Sequence, residues 1–225
     1  MELREYMSIR RAYNLVRQNE DAASRLTFEE FAILCRLEAV GVPVKTSEIA
    51  DYQGALRPTM THRTNHLASL GLIDRGEGLV DRRNIVCSIS EEGKQHAKTL
   101  AHLTCEKIPA GQPLARITSE RMCKYVDAMG TVYCTAGELV LVCLLEAEGE
   151  RCTVTMLVDR LGFLQPTVSM SVATLAEKGL VVRSRPEGSV TRSLDIELTQ
   201  EGRDVAFDIF NRIDSIVVRR RTRVE

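Results

Sequence analysis

Apolar residues open the chain at helical intervals. Tyr6, Ile9, Tyr13 and Val16 follow one another at spacings of 3, 4 and 3, and the same spacings return at Met122, Tyr125, Met129 and Val132. Each set lines one face of an amphipathic helix. A capping box follows each set, Thr27-x-x-Glu30 and Thr135-x-x-Glu138, directly before an apolar run. There a hydroxyl and a carboxylate satisfy backbone N–H groups that a helix start leaves unpaired. A third helix is predicted over 46–53 and 153–161, ended by Gly54 and Gly162. A fourth begins at Pro58 and Pro166, because a helix start needs no N–H there, and stops at Gly71 and Gly179, which suit a left-handed C-cap. LIDR (72–75) and LVVRSR (180–185) then lead into glycine-containing hairpin tips. The return strands alternate at Ile85, Cys87 and Ile89, and at Leu194, Ile196 and Leu198. A last helix is predicted near 91–106 and 200–221.

The elements recur because the chain repeats. Residues 27–74 align without a gap on 135–182, an offset of 108, with 16 identities in 48 positions. Among them are Cys35/Cys143, Asp51/Asp159, Gly54/Gly162, Pro58/Pro166 and Gly71/Gly179. After one inserted residue, Glu92-Gly93 falls on Glu201-Gly202. The segment EKIPAGQP (106–113) separates the copies. The predicted organisation is a first repeat over 1–108, a linker over 109–113 and a second repeat over 114–225.

Composition narrows the class. The 225 residues carry 30 Lys+Arg against 31 Asp+Glu, a net charge of −1, which excludes a globally basic nucleic-acid coat protein. With 44% hydrophobic residues the chain fills cores rather than staying disordered. No apolar run approaches the roughly 20 residues that span a bilayer, and MELREYMSIRR has no apolar signal region. The seven cysteines form no CxxC pair, so reduced, mostly buried thiols in a cytoplasmic protein are expected.

Helix, helix–turn–helix, two-stranded hairpin, helix is the order of a winged helix–turn–helix. Ser47-Glu48-Ile49-Ala50, Leu56-Arg57-Pro58-Thr59-Met60-Thr61, Leu67-Ala68-Ser69-Leu70-Gly71-Leu72-Ile73, Asp81-Arg82-Arg83 and Ser90-Glu91-Glu92-Gly93 carry the resemblance. In their order and spacing they resemble MarR-type regulators. The tandem copy is similar to the two-domain members of the SarA branch. The resemblance implies a mainly α fold with small β-wings (α+β) and two tandem winged helix–turn–helix domains paired as an intrachain pseudo-twofold dimer. It further implies a bacterial, nucleoid-associated transcription regulator that binds double-stranded DNA as a monomer. In the family a small-molecule effector often binds between the helical core and the wing module.

The residues support the same reading without the family. On the fourth helix Met60, Thr64, Leu67 and Gly71 share an inward face. The opposite face presents Pro58, Thr61, His62, Asn65 and Ser69, with Thr59 in the first turn and His66 beside it. Short hydrogen-bonding groups suit base edges and phosphates, and Arg57 sits at a helix start that favours phosphate. Arg63 flanks the inward face and is expected to snorkel to the surface. A solvated helix face is the plainer alternative. The first wing offers Arg75, Asp81, Arg82 and Arg83. The resemblance implies that Arg83 enters the minor groove while Asp81 orients it, a readout of groove shape. In the second copy Gln165, Thr167, Ser169, Met170, Arg183, Arg185 and Arg192 hold the corresponding places, but Val190 replaces the aspartate. Met170, Ala173 and Glu177 make that face poor in donors, so the first copy is expected to supply most base specificity. Segments 56–83 and 164–192 each carry a local charge of about +2, His left neutral. The run Arg219-Arg220-Arg221-Thr222-Arg223 is the one dense basic cluster, fit either to clamp phosphate or to solvate a helix end. Two such heads suit an imperfect palindrome with half-sites about 34 Å apart.

Other chemistry is sparse. Cys123, between Arg121 and Lys124 and beside Tyr125, is a candidate redox sensor, with a buried inert thiol as the alternative. Cys35 and Cys143 align on the inward side of one helix and are expected in the core. His62 and His66, four apart, lack a carboxylate or thiol neighbour in sequence, so no metal site is predicted. No cofactor loop or catalytic motif is present, so no enzyme activity is expected. The reading from another class is a tandem winged-helix protein-interaction scaffold of chromosome-organisation or polymerase-accessory type.

Overall fold

A computed structural model describes residues 1–78, 84–150, 152–185 and 194–218. In chain order the elements are α1 (Leu3–Asn19), α2 (Phe28–Val40), β1 (Val44–Lys45), α3 (Thr46–Gln53), α4 (Arg57–Ser69), β2 (Ile73–Glu77), β3 (Ile85–Ile89) and α5 (Glu91–Glu106). They continue with α6 (Ser119–Met129), α7 (Ala136–Glu146), α8 (Val154–Leu161), α9 (Gln165–Glu177), β4 (Val181–Ser184), β5 (Asp195–Leu198) and α10 (Gln200–Asp214).

Local chemistry sets most of these boundaries. Both capping boxes form: Thr27 N–H donates to the Glu30 carboxylate at 2.7 Å and Thr135 N–H to that of Glu138 at 2.7 Å. Gly54 and Gly162 end α3 and α8 with φ of +60° and +65°, a conformation that favours glycine. Helices α4 and α9 start one residue earlier than predicted, at Arg57 and Gln165. Pro58 and Pro166 therefore stand second in the helix, where a missing N–H is equally harmless. Ser90 caps α5 and also donates its hydroxyl to Gly71 O at 2.7 Å; Thr199 does the same for α10, reaching Gly179 O at 2.8 Å. One hydroxyl in each case pins the turn that ends α4 or α9 to the start of a later helix.

The first wing sheet is three-stranded, in the order β1-β3-β2, rather than a simple hairpin. Val44 and Lys45 pair with Cys87 and Val86. A two-residue strand leaves no alternation to read in the sequence. In the second copy β4 and β5 form a two-stranded sheet, and the third strand shrinks to a bridge between Thr153 and Asp195. Leu194 precedes β5 and is partly exposed, whereas Ile196 and Leu198 are buried. Helix α10 ends at Asp214, short of the predicted 221. The β-branched run Ile216-Val217-Val218 is unfavourable to helix, and Ser215 turns its hydroxyl back to Arg212 O.

Two compact units result, and they cut across the sequence copies. One unit comprises Met1–Leu15 with Cys134–Ser215; the other comprises Val16–Tyr133 with Ile216–Glu225. The first unit joins most of α1 to the helices of the second copy, and in it Tyr6, Ile9 and Tyr13 are buried. Asn14 donates to Leu161 O at 2.8 Å and Arg11 to Asp159 O at 2.7 Å, both at the end of α8. The second unit takes α6. Its Met122, Val126 and Met129 are buried, and the helix packs on α2 and α5. Gly130 lies so close to α2 that an added Cβ would come within 2.9 Å of the Ala32 methyl. Arg36 reaches Asp127 at 3.8 Å and stacks over the Tyr52 ring at 3.9 Å, binding α6, α2 and α3 together. The helix that opens each copy thus belongs to the compact unit of the other.

His96 on α5 gives a pH dependence. Its Nε2 is buried without a hydrogen-bond partner among the described residues, and burial lowers its pKa from 6.5, against a smaller opposing pull from Glu20. Below about pH 6.5 the unfolded chain binds this proton before the folded one does, so stability falls with pH there. In His96→Gln that decline should be shallower between pH 7.5 and 5.5 in urea titrations; an unchanged decline would remove the assignment.

Candidate nucleic-acid interface

Helix α4 divides cleanly. Met60, Thr64 and Leu67 are fully buried, and the Thr64 hydroxyl donates to Met60 O at 3.0 Å, so no polar group on that face is left open. Arg57, Pro58, Thr59, Thr61, His62, Asn65 and Ser69 are exposed, as the spacing predicts. Neighbours alter two flanking residues. His66 is drawn inward: its Nδ1 lies 2.7 Å from Glu30 Oε1, and the side chains are 32% and 4% exposed. The Glu30 carboxylate therefore caps α2 and holds α4 at once. Arg63 does not snorkel freely. It donates to Gln53 Oε1 at 3.2 Å, its guanidinium lies 5.7 Å from the Tyr133 ring centroid, and Gln53 in turn donates to Glu29 O.

The start of α4 differs from most helices of the chain. A serine or threonine hydroxyl caps α2, α5, α6, α7, α8 and α10. The caps of α4 and α9 are Leu56 and Leu164, which make no side-chain hydrogen bond and are 76% and 56% exposed. First-turn N–H groups without a side-chain acceptor suit an anion. Sequence reasoning passed over both leucines, although they are identical aligned residues where a cap is expected.

The second head has the same frame with a different face. Val168, Val172 and Leu175 of α9 are buried; Gln165, Pro166, Thr167, Ser169 and Met170 are exposed, Met170 at 71%. Arg183 and Arg185 are exposed beside it. Residues 127–189, which hold α7, α8, α9 and β4, match the model of the MarR family. In this segment the chain is similar to the MarR family. No curated protein matches it.

Three solved structures are similar to parts of this chain. The transcriptional regulator BldR from Sulfolobus solfataricus is 21% identical over 43% of this chain and 65% of its own, with a TM-score of 0.37. The YusO protein from Bacillus subtilis is 22% identical over 44% and 65%, TM-score 0.35. A mutant MarR from E. coli complexed with operator DNA is 14% identical over 50% and 79%, TM-score 0.32. This chain thus spans 65% of the length of the first two.

The wings are described in part. Arg75 lies opposite Cys87 in the β2–β3 register and is half-buried. Asp81, Arg82 and Arg83, Val190 and Arg192, and the run beginning at Arg219 lie outside the described residues. Cys123 is half-buried on α6, its Sγ 4.0 Å from Ala97 O of α5. Cys35 and Cys143 are both buried, as expected. Among the described residues no cluster of His, Cys, Asp or Glu has the form of a metal site, and no helix is long and apolar enough to cross a membrane.

Proposed function

We propose that the protein is a transcription regulator that binds double-stranded DNA by sequence, with α4 and α9 in successive major grooves and the wings, including Asp81, Arg83 and Arg192, in minor grooves. One observation carries the reading. Thr61, His62 and Asn65 form an exposed row of short donors and acceptors on a helix whose other face is fully buried, and the helix starts at open N–H groups beside Arg57. Such a row is suited to base edges, and such a start to a phosphate. The two repeats act as a cytoplasmic single-chain pseudo-dimer, without enzymatic activity, on an imperfect palindrome. A hollow of about 590 Å³ among Leu144, Cys152, Ile196 and Arg203 is the place an effector between helices and wing would occupy.

The test is a nuclease footprint on DNA upstream of the protein's own coding sequence, with mass measured in the same buffer. A monomer should protect one asymmetric site of about 20 base pairs, and affinity should fall steeply with salt. Absence of protection at low salt would favour the alternative, a tandem winged-helix scaffold for protein contacts. The apolar exposure of Leu164 and Met170 on the second head suits that alternative.

A further inference from the structure

The hollow beside the second wing has a lining that the first copy does not repeat. Glu148 and Glu150, between α7 and α8, and Asp195 and Glu197, on β5, all line it. The repeat aligns them with Val40, Val42, Val86 and Ser88. Four carboxylates thus stand where the first copy has three aliphatic side chains and a hydroxyl. The strand edge differs as well. In the first copy β1 pairs with β3 over two residues, whereas β5 keeps only the bridge from Thr153 to Asp195. All of the lining belongs to one compact unit, within Cys134–Ser215.

The charges do not cancel among the described residues. Arg203 pairs with Glu148, and Arg160 of α8 reaches Glu150 at 2.6 Å. Four carboxylates face these two guanidiniums, which leaves a negative excess. Glu197 is exposed and has no ion pair among the described residues. Asp195 stands two residues before it, on the same side of the strand. The remaining lining is apolar, and Leu144, Ala147, Ile196 and Leu198 are buried. Cys152 is 2% exposed, and its thiol makes no hydrogen bond among the described residues. Burial raises its pKa, so the wall there is a neutral thiol. A buried sulfur without a polar partner suits contact with an aromatic ring. A volume of about 590 Å³ is ordinary for a small-ligand site.

We propose that this hollow binds an organic cation, an ammonium group on a small aromatic body. Asp195 and Glu197 surround the ammonium, and Leu144, Cys152 and Ile196 meet the ring. A carboxylate-lined hollow concentrates cations and repels anions of the same shape. The site occurs once per chain, because valines and a serine hold the acidic positions in the first copy. An occupant would touch β5 of the second wing and Glu150, the partner of α8. The proposal rests on the reading of this hollow as an effector site and requires no DNA.

The test is calorimetric titration of the full chain, free of DNA, with phenethylammonium and with 3-phenylpropionate. The two carry the same ring and opposite charges. The cation should bind one per chain and weaken as salt rises, and the anion should give no binding heat. Asp195→Asn with Glu197→Gln should weaken the cation about tenfold or more. Asp208→Asn, exposed on α10 away from the hollow, should leave its affinity unchanged. Should the double variant misfold, Glu197→Gln alone is read, since that side chain is exposed. Tighter binding of the anion, two cations per chain, an affinity unchanged by the acidic-residue variants, or no cation binding at millimolar concentration would each overturn the proposal. Gel shifts run separately keep the two readings apart. A chain that binds the cation but no DNA refutes the regulator and leaves this site; one that binds DNA but no cation does the reverse.

Discussion

Gly93→Ala is expected to destabilise the protein by about 3 kcal/mol or more, the upper end of what overpacking costs. A Cβ on Gly93 would stand 1.9 Å from Leu72 O, 2.9 Å from its carbonyl carbon and 3.0 Å from Ile89 Cγ1. The nearest obstacle is backbone, so no rotamer change relieves it. The carbonyl cannot withdraw cheaply either, because Leu72 O accepts from Ser90 N–H at 3.2 Å and Ser90 Oγ accepts from Gly93 N–H at 2.9 Å. Gly202 repeats the arrangement, with Leu180 O at 1.9 Å from the added Cβ and Thr199 as the cap. The sign makes this a sharp test. Alanine in place of a helical glycine ordinarily stabilises by up to about 1 kcal/mol, whereas here the transition should fall by roughly 10 °C. Gly76→Ala, with open space around the added methyl, is the control and should change little. A melting temperature for Gly93→Ala at or above that of the parent would refute the account.

The same residues show what the sequence reveals. Glu92-Gly93 and Glu201-Gly202 stand out as matched pairs, but the reason for glycine is a carbonyl some twenty residues earlier in the chain, which no local pattern displays. Caps, left-handed glycines and the inward face of α4 are legible because each depends on residues within a turn or two. The exchange of the opening helices is not. Tyr6-Ile9-Tyr13-Val16 and Met122-Tyr125-Met129-Val132 carry the same spacings, which say that a face is buried but not against what. Residue-specific contacts decide it: Asn14 and Arg11 at the end of α8, and Gly130 and Asp127 against α2. His66 is a similar case, since its spacing puts it beside the exposed face while Glu30, 36 positions away, draws it in.

On the proposed reading, the double substitution His62→Ala and Asn65→Ala should weaken operator binding about 100-fold, since each good base contact contributes roughly 1–3 kcal/mol of discrimination. Both side chains are exposed, and no hydrogen bond described in the chain ties them down. Stability should therefore stay within about 0.5 kcal/mol of the parent, and any loss of binding reads as lost contact. Met170→Ala, at the position aligned with His62, should cost far less, because a thioether offers a base edge only an apolar surface. Arg57→Gln should behave in a third way. It should weaken operator and random DNA alike and reduce the salt slope by about 1, as expected of a phosphate contact. Gel-shift titrations of the three variants on operator and random duplexes at two salt concentrations separate these patterns. Equal losses from the two heads would mean that base specificity is shared between α4 and α9, which the difference between their faces argues against. If operator and random DNA lost affinity equally in the His62 and Asn65 variant, those side chains would be phosphate contacts, and sequence reading would have to move to the wings.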